Sequence, residues 1–213
     1  MTSEELDQRI EELAPCAASP PPVCEPDDYL RDECGVFGVY GHPEAAKLIY
    51  LGLYALQHRG QEGAGICCAE GGALSAHRGV GLVSDVFKPH KLARVRGNHG
   101  LGHVRYSTFG SSSLRNVQPL VADYGHGSMA VAHNGNFVNA DVLREELEAQ
   151  GAIFQSTTDS EVLVHLIARS GAETFTDRVV DALRRVIGAY SVVAMDQNVI
   201  VAARDPHGFR PLW

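Results

Sequence analysis

Cys34 is the residue of this sequence best placed to act as a nucleophile, because it stands where an acidic leader meets an apolar strand. Cleavage after Glu33 would give it a free amine, whose pKa of about 7.7–8.0 leaves a useful fraction unprotonated near neutrality. That amine could accept the thiol proton, so no separate histidine is needed. The competing interpretation is the usual fate of a free cysteine, a small buried apolar side chain. A nucleophile of this kind explains why a leader would be removed, since an amide nitrogen is not a base.

A second group of candidate residues lies in the segment His133-Asn-Gly-Asn136, which follows a predicted strand. The side-chain NH2 of Asn134 and the backbone N–H of Gly135 are donors of the kind that stabilise an oxyanion. A tight turn is the competing interpretation, because Asn-Gly favours the positive φ that such turns need. The segment alone does not decide between the two.

Two charged residues stand at the ends of predicted elements. Arg105 lies near the end of an apolar strand, and its guanidinium could bind a carboxylate through two parallel hydrogen bonds. Asp159 lies at the start of a helix and could meet a substrate ammonium. The competing interpretations are a surface ion pair for Arg105 and, for Asp159, a carboxylate that is stabilised by the helix dipole.

The glycine-rich segment 59–65 joins a predicted helix to a predicted strand. This order is the reverse of a Rossmann or P-loop phosphate site, in which the strand precedes the helix. The segment therefore predicts a loop whose backbone closely approaches another part of the chain.

The apolar pattern predicts an α+β layered fold, in which helices cover antiparallel sheets. Strands rich in small and β-branched residues are predicted at 34–40, 65–69, 73–77, 102–107, 119–122, 128–133, 190–195 and 199–203. Helices are predicted at 43–57, 139–151, 158–167 and 176–187. Asn139 is expected to cap the second helix, and Thr158 and Glu161 have the spacing of a capping box for the third.

The net charge of the chain is concentrated in its first 33 residues. They hold ten acids and two bases, which leaves sixteen acids and sixteen bases for the remainder. This balanced remainder has no basic excess of the kind that indicates nucleic-acid binding. The leader is also rich in proline between residues 15 and 26, a composition that offers little apolar surface to offset the entropy of ordering.

Residue spacing argues against several other classes of protein. No apolar run approaches the roughly 18–20 residues of a membrane span, and the acidic N-terminus is no secretory signal, so we expect a cytoplasmic protein without a membrane partner. The odd number of cysteines, two of them adjacent at Cys67 and Cys68, favours reduced thiols. At least one of that pair is expected in the core. No zinc-like spacing occurs, so no metal site is expected in this chain.

Five segments in order resemble the motifs of the N-terminal-nucleophile (class II) glutamine amidotransferases. They are Cys34-Gly-Val-Phe-Gly38, Gln57-His-Arg-Gly-Gln-Glu-Gly-Ala-Gly65, Gly102-His-Val-Arg-Tyr-Ser-Thr108, His133-Asn-Gly-Asn136 and Thr158-Asp-Ser-Glu161. The Gln57-His-Arg-Gly-Gln61 form most resembles the amidophosphoribosyltransferase branch of that family. The resemblance runs from Asp32 to Trp213, and five motifs in the right order outweigh the competing interpretation of each one.

The resemblance implies a role for each matching residue. Cys34 would be the nucleophile with its freed amine as the base, and Asn134 and Gly135 would form the oxyanion hole. Arg105 would bind the α-carboxylate of glutamine and Asp159 its α-ammonium. Four further residues would line the substrate pocket: Thr108, His103, Arg59 and Gly60.

The resemblance also implies a fold, a domain division and an activity. The fold would be a four-layer αββα sandwich, with a propeptide at residues 1–33 and a glutaminase domain at 34–213 that is truncated at its C-terminal end. Ammonia from glutamine would reach a second domain, which uses phosphoribosyl pyrophosphate to make 5-phosphoribosylamine, the first step of purine biosynthesis. That domain, its magnesium and, in some members, an iron–sulfur cluster are expected only in a longer, homo-oligomeric enzyme. The present chain would be at most a glutaminase without a cofactor.

Three other functions compete with this interpretation. The chain could belong to another class II amidotransferase, with a different acceptor for ammonia. It could be a catalytically silent module that keeps the fold and acts through interactions. The remote third alternative is a metal-binding protein built on the abundant histidines and cysteines.

Overall fold

The computed structural model describes residues 34–106 and 113–213. The predicted propeptide, residues 1–33, and the predicted pocket residue Thr108 lie outside these ranges. Within them, no helix combines the length and the apolar character needed to cross a membrane.

The first of two sheets carries Cys34 at one end. Its strands are β1 (Gly35–Val39), β2 (Gly63–Glu70), β3 (Ala73–Val80) and β4 (His99–Arg105). They pair in the order β1-β4-β2-β3, and every neighbouring pair is antiparallel. Because Gly35 pairs with Val104, the start of β1 and the end of β4 lie side by side. This register places Cys34 next to Arg105.

The second sheet carries the predicted oxyanion residues. Its strands are β5 (Leu120–Tyr124), β6 (Gly127–Phe137), β7 (Gly188–Met195) and β8 (Ile200–Arg204), which pair in that order and antiparallel. Pairing of β6 with β7 continues to Phe137 opposite Gly188, four residues beyond the predicted end of the strand. The tight-turn interpretation of Asn134 and Gly135 is therefore wrong, since both lie inside a paired strand.

Helices cover the outer face of each sheet. Beside the first sheet lie α1 (Ala45–Ala55), α2 (Val83–Val86) and α3 (Pro89–Leu92), and beside the second lie α4 (Ala140–Ala149), α5 (Ser160–Arg169) and α6 (Phe175–Leu183). The four predicted helices are present. Three are shorter than predicted, and the one predicted at 158–167 has the same length but lies two residues later. The two short helices α2 and α3 were not predicted, because a single turn gives no detectable periodicity.

Three apolar clusters separate four layers, which confirms the predicted αββα sandwich. One cluster lies under α1, one between the sheets, and one under α4, α5 and α6. The adjacent cysteines of β2 show the layering, because successive side chains of a strand point to opposite faces. Cys67 packs between the sheets and Cys68 packs toward α1. Both are buried, more than the predicted minimum of one, and burial raises the pKa of each thiol to about 12.

The glycine-rich segment makes the close backbone approach that its composition predicts. A Cβ on Gly60 would lie 2.8 Å from the carbonyl carbon of Arg105, and one on Gly65 would lie 2.2 Å from the carbonyl oxygen of Gln118. Side chains at these positions would push β4 and the residues before β5 away. The glycines thus bring Arg105 and Gln118 to the same end of the molecule.

Two of the predicted helix caps are not formed. Asn139 stands at the N-cap position of α4, but its side chain bonds the carbonyl of Arg185 and the N–H of Ile187, each at 2.9 Å. Glu161, predicted as the far half of a capping box, instead accepts the backbone N–H groups of Gln155 and Ser156 at 2.7 and 2.6 Å. These longer-range donors outcompete the local ones and hold the loop in front of α5.

Candidate active site

A pocket of about 330 Å³ opens where the ends of β1, β4 and β6 meet the residues before α5. It is lined by four of the residues predicted to carry chemistry: Cys34, Arg105, Gly135 and Asp159. These residues are separated by up to 125 positions in sequence and come from both sheets. The fold therefore brings a thiol, a backbone donor, a cation and an anion to one cavity.

Cys34 has an unusual backbone conformation in this pocket. Its φ of +52° is the only positive φ of a non-glycine residue within the described ranges. Such a conformation is sparsely populated and tends to occur at functional sites. The sulfur lies 3.5 Å from the backbone nitrogen of Tyr106 and 3.4 Å from its carbonyl oxygen. Arg59 donates from Nε to the Cys34 carbonyl at 2.9 Å, so it fixes the backbone of Cys34 without lining the pocket.

The backbone N–H of Gly135 faces the pocket because of its place in the β6 ladder. Tyr190, its partner on β7, directs its own N–H and C=O to Asp205, so Gly135 and Tyr190 form a pair without mutual hydrogen bonds. Residues two positions away have the same orientation: His133 N–H bonds Gln118 at 2.6 Å and Phe137 N–H bonds Asp159 at 2.9 Å. The Gly135 N–H lies between these two, on the edge that borders the cavity.

Only glycine fits at position 135. Its φ is +145°, and a Cβ would lie 2.0 Å from the carbonyl oxygen of Ala189. The donor is therefore placed by a backbone geometry that other residues cannot adopt without displacing β7.

Asn134 is buried beside this donor. Its Oδ1 has no hydrogen-bond partner among the residues that the structure describes, although the atom is shielded from solvent. A buried amide oxygen without a partner is costly, and such groups are common where a ligand completes the bonding. Asn134 is not among the residues that line the cavity, unlike its neighbours His133 and Gly135.

Arg105 is buried rather than exposed, which rules out the surface ion pair as its environment. Its Nη1 donates to the carbonyl of Asn116 at 3.0 Å. The Asn116 side chain in turn bonds both the hydroxyl and the N–H of Thr157, at 3.0 and 3.1 Å. The guanidinium is thus tied through Asn116 to the segment that carries Asp159.

Asp159 occupies the N-cap position of α5 without making a side-chain cap bond. One oxygen, Oδ2, accepts the N–H of Phe137, and the other, Oδ1, lies 3.3 Å from the Ser160 hydroxyl and 3.7 Å from His133 Nδ1. About a quarter of the side chain is exposed. The carboxylate therefore lines the pocket at the N-terminus of α5, where the helix dipole favours a negative charge.

The other predicted pocket residues lie behind the cavity wall. His103 is fully buried and its Nε2 contacts the carbonyl of His133 at 3.2 Å. Burial, assisted by the charge of Arg105, lowers the pKa of His103 to about 3, so it is neutral. Gly60 packs against the backbone of Arg105, and neither Gly60, His103 nor Arg59 lines the cavity.

Three site residues were missed in the sequence: Gln118, His133 as a side chain, and Ser160. All three are buried and hydrogen-bonded to one another beneath Asp159. His133 and Ser160 stand inside two of the motif segments but were given no role there, and Gln118 stands in none. Its polarity next to apolar neighbours does not separate a site residue from a surface one.

The chain matches the model of the glutamine amidotransferase domain over residues 103–213, more than half of its length. The chain belongs to the glutamine amidotransferase family. Curated relatives of this amidotransferase domain include amidophosphoribosyltransferase 3, chloroplastic, of Arabidopsis thaliana and the amidophosphoribosyltransferase of Bacillus subtilis, at 55% and 50% identity. The matches cover 87% and 86% of this chain but only 35% and 39% of the two relatives, so the chain spans well under half of their length.

Solved structures are similar to the amidotransferase domain over the same region. One is glutamine phosphoribosylpyrophosphate amidotransferase from B. subtilis complexed with ADP and GMP, with a TM-score of 0.78 and 48% identity. A second, an allosteric regulatory enzyme of purine biosynthesis, has a TM-score of 0.79 and 49% identity. Each match covers 83% of this chain and 38% of the other. The sandwich is accordingly of the N-terminal-nucleophile hydrolase type, as predicted.

Proposed function

We propose that this chain hydrolyses the side-chain amide of glutamine, with Cys34 as the nucleophile after removal of residues 1–33. The observation that carries the proposal is that Cys34, Gly135, Arg105 and Asp159 line one and the same pocket. Free glutamine presents an amide, an α-carboxylate and an α-ammonium. The thiol and the backbone donor suit the amide, while the cation and the anion suit the two charged groups.

Removal of the leader supplies the base for the first step. Once the bond to Glu33 is broken, the α-amine of Cys34 is close to its own thiol and accepts the thiol proton. The thiolate then attacks the amide carbon of glutamine. The alternative base, His103, is neutral but buried behind the wall, with its Nε2 directed at a backbone carbonyl.

The β6 edge stabilises the intermediate that follows. Negative charge develops on the amide oxygen, and we assign its binding to the Gly135 N–H and the Asn134 side-chain NH2. Collapse of the intermediate transfers the proton held by the amine to the leaving nitrogen, which departs as ammonia. Water then hydrolyses the γ-glutamyl thioester to glutamate and restores the thiol.

For the whole protein we propose the activity named in its relatives, amidophosphoribosyltransferase. Ammonia would displace pyrophosphate from phosphoribosyl pyrophosphate and give 5-phosphoribosylamine, in a part of the protein beyond this chain. We assign magnesium, any iron–sulfur cluster and the oligomer contacts to that longer protein. A cytoplasmic location stays a proposal that cell fractionation would test, since the Arabidopsis relative is named as chloroplastic.

Intact-protein mass spectrometry after treatment with a glutamine-analogue electrophile tests the nucleophile. We expect a chain that begins at Cys34 and gains one adduct, because burial holds the pKa of Cys67 and Cys68 near 12 and keeps them unreactive. The adduct should map to the N-terminal peptide, and free glutamine should slow its formation. An active protein that retains the Glu33–Cys34 bond would contradict the proposal, and a cleaved chain without glutaminase activity would favour the silent module.

Arg105→Lys is expected to raise the KM for glutamine while leaving kcat within a few-fold. One ammonium cannot reproduce two parallel bonds to a carboxylate, and the loss of one charge-assisted bond predicts a roughly ten- to hundredfold weaker interaction. Steady-state kinetics measure the effect, with Arg115→Lys as the matched control at an exposed arginine that does not line the pocket. An unchanged KM in Arg105→Lys would remove Arg105 from the binding role.

A further inference from the structure

A buried polar cluster lies directly beneath Asp159 and is not used in the chemistry above. It consists of Gln118 before β5, His133 on β6 and Ser160 at the start of α5, which are 4%, 2% and 1% exposed. Three polar side chains are costly to bury unless each hydrogen-bond donor among them meets an acceptor. The chemistry of each group determines which atom donates and which accepts.

The amide of Gln118 can take only one orientation. The backbone N–H of His133 approaches it at 2.6 Å, and because an N–H only donates, the atom that faces it must be Oε1. The other amide atom, Nε2, then faces the Ser160 hydroxyl at 3.0 Å and donates to it. The orientation thus rests on a backbone donor rather than on the assignment of similar atoms.

The Ser160 hydroxyl has a single proton and two acidic or basic neighbours. Its oxygen lies 3.3 Å from Asp159 Oδ1 and 3.0 Å from His133 Nδ1. A carboxylate can only accept, so the contact between Ser160 and Asp159 is a hydrogen bond only when the serine donates its proton to Asp159. We assign the proton in this way, and His133 then donates from Nδ1 to the serine oxygen. His133 is neutral, since burial lowers its pKa more than the charge of Asp159 raises it. The remaining nitrogen, Nε2, is buried without a partner among the described residues and carries the lone pair.

Both oxygens of the Asp159 carboxylate are consequently held. Oδ2 accepts the Phe137 N–H at 2.9 Å, and Oδ1 accepts the Ser160 hydroxyl. The Phe137 ring stacks on His133 with a centroid distance of 4.1 Å and an interplanar angle of 3°. The carboxylate plane is therefore coupled to the same stretch of β6 that presents the Gly135 N–H.

We propose that Ser160 and Gln118 are positioning residues that orient the Asp159 carboxylate toward the substrate's α-ammonium and so make the site selective for amides that carry an α-amino group. The proposal rests on the proposed function, because it concerns how the same pocket recognises glutamine. It assigns these residues to recognition of the substrate and not to the bond-breaking step.

The test compares two substrates in the full chain: glutamine, and glutaramate, which is glutamine without its α-amino group. Ser160→Ala should raise the KM for glutamine roughly tenfold, the range for a lost bond to a charged group, and leave kcat within a few-fold. The KM for glutaramate should stay unchanged, because no ammonium remains for Asp159 to bind. Ser160→Thr keeps the hydroxyl and should restore the preference for glutamine.

Ser170→Ala is the matched control, since Ser170 lies at the other end of α5 and its hydroxyl also bonds a carboxylate, that of Asp181 at 2.8 Å. It should change neither KM. An equal loss for both substrates in Ser160→Ala would overturn the positioning role but leave glutaminase activity in place. If the parent chain hydrolyses neither amide, the proposed function fails instead.

Nitrogen-15 NMR of the histidine side chains shows which ring nitrogen of His133 carries the proton, and it does so independently of activity. We expect His133 in the Nδ1–H form in the parent chain at neutral pH, in keeping with its bond to Ser160. The Nε2–H form would mean that the serine proton points to His133 and away from Asp159, and it would overturn the proposal even if Ser160→Ala failed to fold.

Discussion

Cys34→Ser is expected to abolish measurable glutamine hydrolysis and to leave the leader attached or slowly removed. A hydroxyl is far harder to deprotonate than a thiol, and an amine with a pKa near 8 is too weak a base to ionise it. Removing a nucleophile from a site of this kind costs on the order of 10³–10⁶ in kcat. Ammonia release measures the activity, and N-terminal sequencing shows the state of the leader.

The matched control for this substitution is Cys67→Ala, which removes a thiol that is buried between the sheets. It should lower the melting temperature, because it leaves a small cavity, and keep the kcat of the folded protein. Equal rates for Cys34→Ser and the parent chain would show that another group attacks the amide. A fully cleaved Cys34→Ser chain without activity would separate leader removal from catalysis.

Asn134→Asp is expected to lower kcat by more than the roughly 10²–10³ that the loss of one oxyanion donor costs in Asn134→Ala. The two side chains have the same shape, so the substitution replaces an NH2 donor with an acceptor and leaves the packing of β6 intact. A carboxylate would also repel the negative charge that develops on the substrate. KM should change little, since the ground-state amide carries less charge than the intermediate.

Asn134→Ala gives a second measure of the same donor without an added charge, and its kcat should fall by less than that of Asn134→Asp. Asn198→Ala, in the exposed loop between β7 and β8, is the control and should retain full activity. Parent-like kcat in both Asn134 variants, with unchanged melting temperatures, would return this side chain to a purely structural role.

Local sequence patterns predicted much of the fold, and they failed where contacts between residues distant in sequence determine the structure. Strand β3 begins at Ala73 and β7 ends at Met195, as alternation and turn residues predicted. The end of β6 was missed because Asn-Gly favours a turn locally, whereas pairing with β7 keeps the segment extended to Phe137. The capping box was wrong for a related reason, because Glu161 finds stronger partners in the loop before α5.

The same distinction applies to the candidate site. The motifs brought Cys34, Arg105, Gly135 and Asp159 into one hypothesis, and the structure places them around one pocket. The roles of Gln118 and Ser160 could not be found in this way, although Ser160 stands inside one motif, because the two side chains bond to each other across 42 positions. His103 was placed in the pocket by the resemblance, yet its strand turns it into the interior.

Strand β5 pairs with β6 only as far as Leu120 opposite Val131, so the second sheet is left incomplete along the last residues of its neighbour. Unpaired backbone N–H and C=O groups at a sheet edge can pair with a strand of another chain. Here the side chains of Gln118 and Asp159 accept the N–H groups of His133 and Phe137, which a longer β5 would have paired. The N–H of Gly135 lies between them and stays open to a small molecule. If β5 began a few residues before Leu120, regular pairing with β6 would close that opening, so the late start of β5 keeps the Gly135 N–H accessible.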